Sequence, residues 1–186
     1  NYSDKYFFSA SLRRDGSSKF SKDNRWSTFW SIGGRWNMMK ENFMENFKPW
    51  LNQLDLKASY GTTGNSSIGD YAYFGLVSGQ GVQYNGENGL ILSQSSVKDL
   101  TWETVAQANI GFEARVFDHF TLGFEYYHKK TSDMLLSIPY SYTTGFSSGA
   151  GNIGAMVNKG IDINVDVDII NKPDMYWGVK ANVNYN

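Results

Sequence analysis

Few residues in this chain have the types and spacing that chemistry requires. His119 and His128 are its two histidines, and neither has a Cys, Asp or Glu at the helical spacing of a metal site or an acid–base pair. No catalytic residue, metal or cofactor is expected from them. Residues 149–154 read Gly-Ala-Gly-Asn-Ile-Gly, the letters of a dinucleotide fingerprint. That motif works only between a parallel strand and a helix whose N-terminus takes the pyrophosphate. Nothing around it has a helical pattern, so a flexible loop is expected. Asp162, Asp166 and Asp168 could suggest calcium, but calcium takes oxygen ligands converging from a curved loop. Here the carboxylates project in a row from an extended strand, which suits the lining of a hydrated surface.

Binding is more plausible for rings in two long stretches rich in Gly, Ser and Tyr, residues 61–101 and 131–156. Tyr71, Tyr73, Phe74, Tyr84, Tyr140, Tyr142 and Phe146 each offer an apolar face, and the tyrosines a polar tip. Such rings can stack on the CH faces of sugars. The competing reading is packing among the loops themselves or at the headgroup level of a membrane.

The elements that must position these residues alternate with a period of two. Positions 161, 163, 165, 167 and 169 are Ile, Ile, Val, Val and Ile, with Asp, Asn, Asp and Asp between them. Trp177, Val179, Ala181, Val183 and Tyr185 repeat the pattern after a short turn. Successive strand side chains point to opposite faces, so each such segment has one apolar and one polar surface. Seven segments qualify: Tyr6–Arg13, Trp26–Asn37, Leu54–Gly61, about Trp102–Val116, Phe120–Tyr127, and the pair just described. A tilted strand crossing a bilayer needs roughly 9 to 11 residues, against about 5 to 6 in soluble sheets. Both strands of the final pair reach the longer figure, and the last carries rings at its outward ends, Trp177 and Tyr185, with small aliphatics between, as expected at two membrane interfaces.

This predicts an all-β protein, an antiparallel transmembrane β-barrel segment whose polar side lines a wet lumen. Arg35, Glu113, Arg115, Glu125, Asp162, Asp166, Asp168 and Lys180 are the expected lumen-facing charges. Tight turns at 117–119 and 171–175 oppose the two long stretches, as in barrels with short periplasmic turns and long outer loops. Residues 62–101 are expected to hold no further span, with extra strand structure from Tyr71 to Ser78. Matching outward positions across the last turn pairs Ile170 with Tyr176, Asp168 with Gly178, and Asp166 with Lys180 as a cross-strand ion pair.

Bulk composition agrees. The net charge of -1 gives no electrostatic reason to expect nucleic acid, and no run approaches the ~18 apolar residues of a membrane helix. The absence of cysteine excludes disulfides and thiolate metal sites. A mean hydropathy of -0.44 is compatible with a barrel, because half of each spanning strand faces water. The chain starts Asn1-Tyr2-Ser3 and reads as strand by Tyr6, so it is expected to be an internal piece of something longer.

Five stretches resemble the SusC/RagA group of TonB-dependent outer-membrane transporters: RRDGSSKFSKDNRW (13–26), WLNQLDLKASYGTTGN (50–65), LTWETVAQANIGFEA (100–114), YHKKTSDMLLSIPYSYTTGFSS (127–148) and NIGAMVNKGIDINV (152–165). The resemblance implies that residues 1–186 are part of one barrel domain of the ~22-stranded plugged class. The plug domain, the TonB-contacting segment and the natural terminal strand are expected outside it. It further implies a Gram-negative outer-membrane importer of glycans, sometimes peptides, working with a SusD-like surface lipoprotein lid, with TonB through other parts of the chain, and with outer-membrane lipid. The loop aromatics then become candidates for substrate or lid contact, and no enzymatic role is implied. The competing readings are a siderophore-type receptor, a soluble all-β carbohydrate-binding module whose polar face meets bulk water, and an outer-membrane phospholipase, for which the histidines lack a serine partner.

Overall fold

The computed structural model describes residues 1–79, 83–172 and 174–186, without the side chains of Tyr84 and Asn171. In chain order its strands are β1 (Tyr6–Gly16), β2 (Trp26–Asn37), β3 (Leu51–Asn65), β4 (Leu76–Ser78), β5 (Gln83–Tyr84), β6 (Glu87–Asn88), β7 (Ile91–Gln94), β8 (Glu103–Val116), β9 (Phe120–Ser132), β10 (Leu135–Pro139), β11 (Ser148–Asn152), β12 (Ala155–Lys172) and β13 (Met175–Tyr185). The seven long ones form one antiparallel sheet in the order β1-β2-β3-β8-β9-β12-β13. The short ones make three separate two-stranded pairs, β4 with β7, β5 with β6, and β10 with β11.

The alternating pattern locates all seven spans but underestimates several. β1 continues to Gly16, β3 runs from Leu51 to Asn65 and β9 reaches Ser132. Apolar alternation fades in Thr62–Asn65 and His128–Ser132, yet the backbone ladder continues, because every buried or paired N–H and C=O still seeks a partner. β3 and β8 pair from Leu51 opposite Val116 to Asn65 opposite Glu103, so the described residues among 66–102 add no strand to the large sheet.

Three local expectations are overturned. Strand structure within Tyr71–Ser78 is confined to Leu76–Ser78; the preceding residues turn, with Tyr71 at a φ of 61°, outside the β region. Residues 149–152 are not open loop but part of β11, paired with β10 from Ser148 opposite Pro139 to Asn152 opposite Leu135. Asp166 does face Lys180 and Asp168 faces Gly178, but Ile170 pairs with Trp177 instead of Tyr176. The register shifts between Asp168 and Ile170, where Ile169 is the extra residue of a bulge. Strict alternation would have put Ile170 on the polar face. The bulge instead sets it opposite Trp177, on the apolar one.

No second layer covers that apolar face among the described residues. Phe8, Leu12, Ile110 and Val183, from β1, β8 and β13, are 74%, 76%, 61% and 59% exposed. The buried hydrophobic cluster lies elsewhere: Phe20, Phe29, Ala72, Leu100 and Trp102 pack where the connections after β1 and β3 meet, with Ile68, Tyr73, Val97, Leu135 and Ala150 against them. This core belongs to the long-loop end. At the opposite end the connection from β2 to β3 holds two short 3-10 turns, Met38–Lys40 and Asn42–Phe47.

Candidate functional site: a polar wall and a loop crown

Register places all eight expected lumen charges on one face of the large sheet. Arg35 lies opposite Lys57, Lys57 opposite Gly111, Gly111 opposite Glu125, and Glu125 opposite Asp162. The adjoining face carries the row Phe8, Gly34, Ala58, Ile110, Tyr126, Ile161 and Tyr185.

On the polar face most charges are paired. Lys180 Nζ is 2.6 Å from Asp166 Oδ2, and Arg115 Nη2 is 3.3 Å from Asp168 Oδ2. The Tyr176 hydroxyl donates to Asp168 Oδ1, and the Asn184 amide donates to Asp162. Three contributors were not singled out from sequence: Gln53, Asp55 and Lys57. Gln53 Nε2 donates to Asp55 Oδ2 at 2.8 Å and to Glu113 Oε1 at 3.3 Å, bridging two carboxylates, while Lys57 Nζ also binds Glu113. Asp55 is 2% exposed, with Arg35 Nε 3.8 Å away. Gln53 is uncharged, and only the register of β3 against β8, which strand periodicity does not supply, brings it between the acids.

This surface carries charges of both signs, some like charges facing each other across strands, with the ion pairs Lys57–Glu113, Arg115–Asp168 and Lys180–Asp166 spread along it. Among the described residues no three His, Cys, Asp or Glu side chains gather as a metal site would require.

The long-loop end is a built structure. Trp102 packs on Phe20 with ring centroids 5.3 Å apart and on Phe29 at 5.7 Å, and its indole N–H donates to the Arg25 carbonyl. Asn152 ties two connections together: its Oδ1 accepts from the Thr101 N–H, and its Nδ2 donates to the carbonyls of Thr101 and Asp133, each at 2.8 Å. Glu103 accepts from Asn65 and from the Leu135 N–H.

The expected binding rings separate into two groups. Tyr73 packs against the buried cluster, and the Tyr140 ring covers Gly149 so closely that an added Cβ there would meet it at 2.7 Å. Phe146 is half-buried. Tyr71, Phe74 and Tyr142 are exposed, Tyr142 at 89%, the last on the 3-10 turn Tyr142–Thr144 that Ser141 caps. The Tyr84 side chain lies outside the described residues. Between the loop systems runs a groove of about 420 Å³ lined by Ile68, Ser93, Gln94, Leu136, Ser137 and Ser148 among others.

The other rim is aromatic. Tyr6 stacks on Trp36, Trp36 meets Phe43, Phe47 meets Trp50, and Trp50 meets Phe117. Glu41 sits within it, accepting from the Tyr6 hydroxyl at 2.7 Å, Lys5 Nζ at 3.0 Å and Trp36 Nε1 at 3.2 Å. The Tyr6 hydroxyl, then the Lys5 ammonium, hold its carboxyl below the ordinary value of 4.5.

The family model described as TonB dependent receptor-like, beta-barrel matches residues 1–186. The TonB-dependent receptor P39 of Formosa agariphila is 36% identical over the whole chain, which covers 18% of that protein. The TonB-dependent receptor SusC of Bacteroides thetaiotaomicron is 34% identical, again over the whole chain and 19% of its own length. Among solved structures, the RagAB peptide importer in its closed-closed state superposes with a TM-score of 0.87 at 36% identity, over 97% of this chain and 20% of that one. The siderophore receptor PirA of Pseudomonas aeruginosa shares the fold alone, at 16% identity and a TM-score of 0.62, over 99% of this chain and 32% of that one. The chain thus spans about a fifth of the length of the curated relatives it matches.

Proposed function

The chain belongs to the TonB dependent receptor-like β-barrel family, and from that premise we propose that it supplies wall, lumen surface and outer loops to a nutrient importer in a Gram-negative outer membrane. Residues 1–186 form part of a single barrel domain, with hydrocarbon against the Phe8, Ile110 and Val183 side and a hydrated lumen against the Arg35, Glu113 and Lys180 side. The observation that carries this reading is the uncovered apolar face. A soluble binding module would bury it beneath a second layer, whereas a barrel turns it toward lipid.

Transport follows from the wall. A ligand captured at the outer loops enters a lumen where most charges are already paired, so few ions are left to hold it. Energy comes from TonB through parts of the protein beyond this segment, and a SusD-like lipoprotein closes the loop end. Tyr71, Phe74 and Tyr142 present exposed rings, Phe74 with its ring against Tyr73, and the loop groove is lined by serines, which supports an oligosaccharide as cargo, with stacking on CH faces and hydroxyl-to-hydroxyl bonding. A peptide is the second reading, supported by the 36% identity to the peptide importer RagAB. A siderophore is disfavoured, since the likeness to PirA lies in fold alone.

The test is uptake by cells carrying the full-length transporter, with labelled oligosaccharides in one arm and peptides in the other, with and without TonB. TonB-dependent entry of oligosaccharides is expected, reduced about tenfold by Tyr71→Ala, Phe74→Ala and Tyr142→Ala together, roughly the loss of a ring contact or two. Entry of peptides alone would select the second reading, and entry of neither would reject the importer.

A further inference from the structure

The apolar face carries charge where a lipid-facing wall should have none. Its outward positions, read from the register, are the even residues of β1, β2, β3, β8 and β9 and the odd residues of β12 and β13 through most of their length. No Asp or Glu occupies any of them. On three adjacent strands, β8, β9 and β12, the basic residues on this face are His128, Lys130 and Lys159, exposed and together at the long-loop end, and Lys172, alone at the opposite end, where the bulge sets it opposite Met175. His128 lies directly opposite Lys159, and Lys130 is two residues further along β9 on the same side.

These groups have no partner within the described residues: none of them takes part in an ion pair or side-chain hydrogen bond. Arg115 of β8, on the polar face, is by contrast matched with Asp168 of β12. Basic groups placed together across neighbouring strands repel one another. Their level is informative. Tyr126, the last ring of the β9 outer row, precedes His128 by two residues, and that interval on a tilted strand rises about 5 Å. Rings mark the boundary of the hydrocarbon, and the headgroup layer beyond it is about 5 to 7 Å deep. His128 and Lys159 therefore stand at headgroup depth, while Lys130, about 10 Å above the ring on the same rise, reaches back toward that layer with its long stem.

We propose that His128, Lys130 and Lys159 form a binding site on the outer wall of the barrel for the phosphate groups of a glycolipid in the leaflet at the loop end. This rests on the barrel reading above. The bound phosphate supplies the anion that the protein face lacks, and the apolar row beneath, Ile110, Tyr126 and Ile161, receives the acyl chains.

The full-length protein in detergent is titrated with diphosphoryl lipid A, or with the same lipid stripped of phosphate, and bound lipid is counted by native mass spectrometry. Preference for the phosphorylated form is expected. Lys130→Gln with Lys159→Gln should lower it by about 25-fold, near fivefold per lysine. Lys130→Arg with Lys159→Arg should retain it, and Lys129→Gln, removing a charge from the polar face, should leave it unchanged. Equal binding of the two lipids by the unaltered protein overturns the site, as does full binding by the glutamine pair. Should the glutamine pair not fold, the two-lipid comparison on the unaltered protein decides. Insertion into bilayer nanodiscs separates this from the premise: a protein that does not insert refutes the barrel, whereas one that inserts without phosphate preference refutes only the site.

Discussion

Glu41 joins three groups that are far apart in sequence or on different elements, Lys5, Tyr6 and Trp36, at the aromatic rim. Its carboxyl is held low because the charged form receives those donors. A carboxylate whose pKa falls on folding stabilises the folded state above the unfolded value, and that contribution disappears as pH drops through the lower folded value. Acid should therefore loosen this rim below the ordinary carboxylate range, and Glu41→Gln should flatten the pH dependence there, measured by melting the protein in detergent across an acid series. At the other end Asn152 plays a comparable role with uncharged groups. Asn152→Ala removes three hydrogen bonds and should cost about 1–3 kcal/mol, read as faster hydrogen exchange in residues 133–154. Neither residue was marked by its sequence context. Asn and Glu are common on loops, and their importance comes from partners between 5 and 51 positions away.

At the scale of elements, close approach of backbones decides which glycines are replaceable. A Cβ on Gly111 would lie 2.3 Å from the Phe124 carbonyl oxygen across the β8–β9 pair, whereas one on Gly34 meets nothing nearer than the Phe7 carbonyl at 3.7 Å. Gly111→Ala should push the two strands apart at about 1–3 kcal/mol, while Gly34→Ala should be neutral or stabilise by up to about 1 kcal/mol through lost unfolded-state freedom. Melting midpoints of the two variants provide the comparison. The strands themselves were legible because lipid and water on opposite faces impose a two-residue period on β12 from Ile161 to Ile169. The bulge was visible only as the doublet Ile169-Ile170, a break in alternation that can be resolved by a slip, a strand end or an extra residue. The β10–β11 hairpin was hidden, since Gly149 and Gly151 have no side chains to alternate and the pairing depends on Leu135–Pro139, beyond an intervening turn. The loop rings were ambiguous for a related reason: Tyr73 and Tyr71 are two residues apart, yet only contact with the buried cluster determines which is packed and which is exposed.

The whole molecule inverts the usual distribution of apolar surface. A two-layer protein places its widest apolar face inside, and its buried residues come from the strands. Here, among the described residues, the largest side chains with less than 2% exposure, Phe20 and Leu100, come from connections, while Leu12 on β1 and Val183 on β13 remain open. Both of these strands also border the sheet, each with a neighbour on one side only, so a row of backbone donors and acceptors is unpaired along 11 residues at either margin. Unpaired edges recruit other chains, and exposed apolar patches larger than a few hundred Å² drive association in water. The two features act together, because edge pairing between copies extends the apolar surface instead of covering it. The isolated 186-residue chain should therefore sediment as a broad distribution of assemblies in plain buffer and require detergent to stay dispersed with its β content intact. Detergent satisfies the apolar face but supplies no strand partner, so dispersion with residual edge-to-edge dimers is the expected result in micelles. A monodisperse monomer in plain buffer, with Leu12 and Val183 protected from solvent, would mean that this face is covered by the protein itself, and the barrel assignment would fail with it.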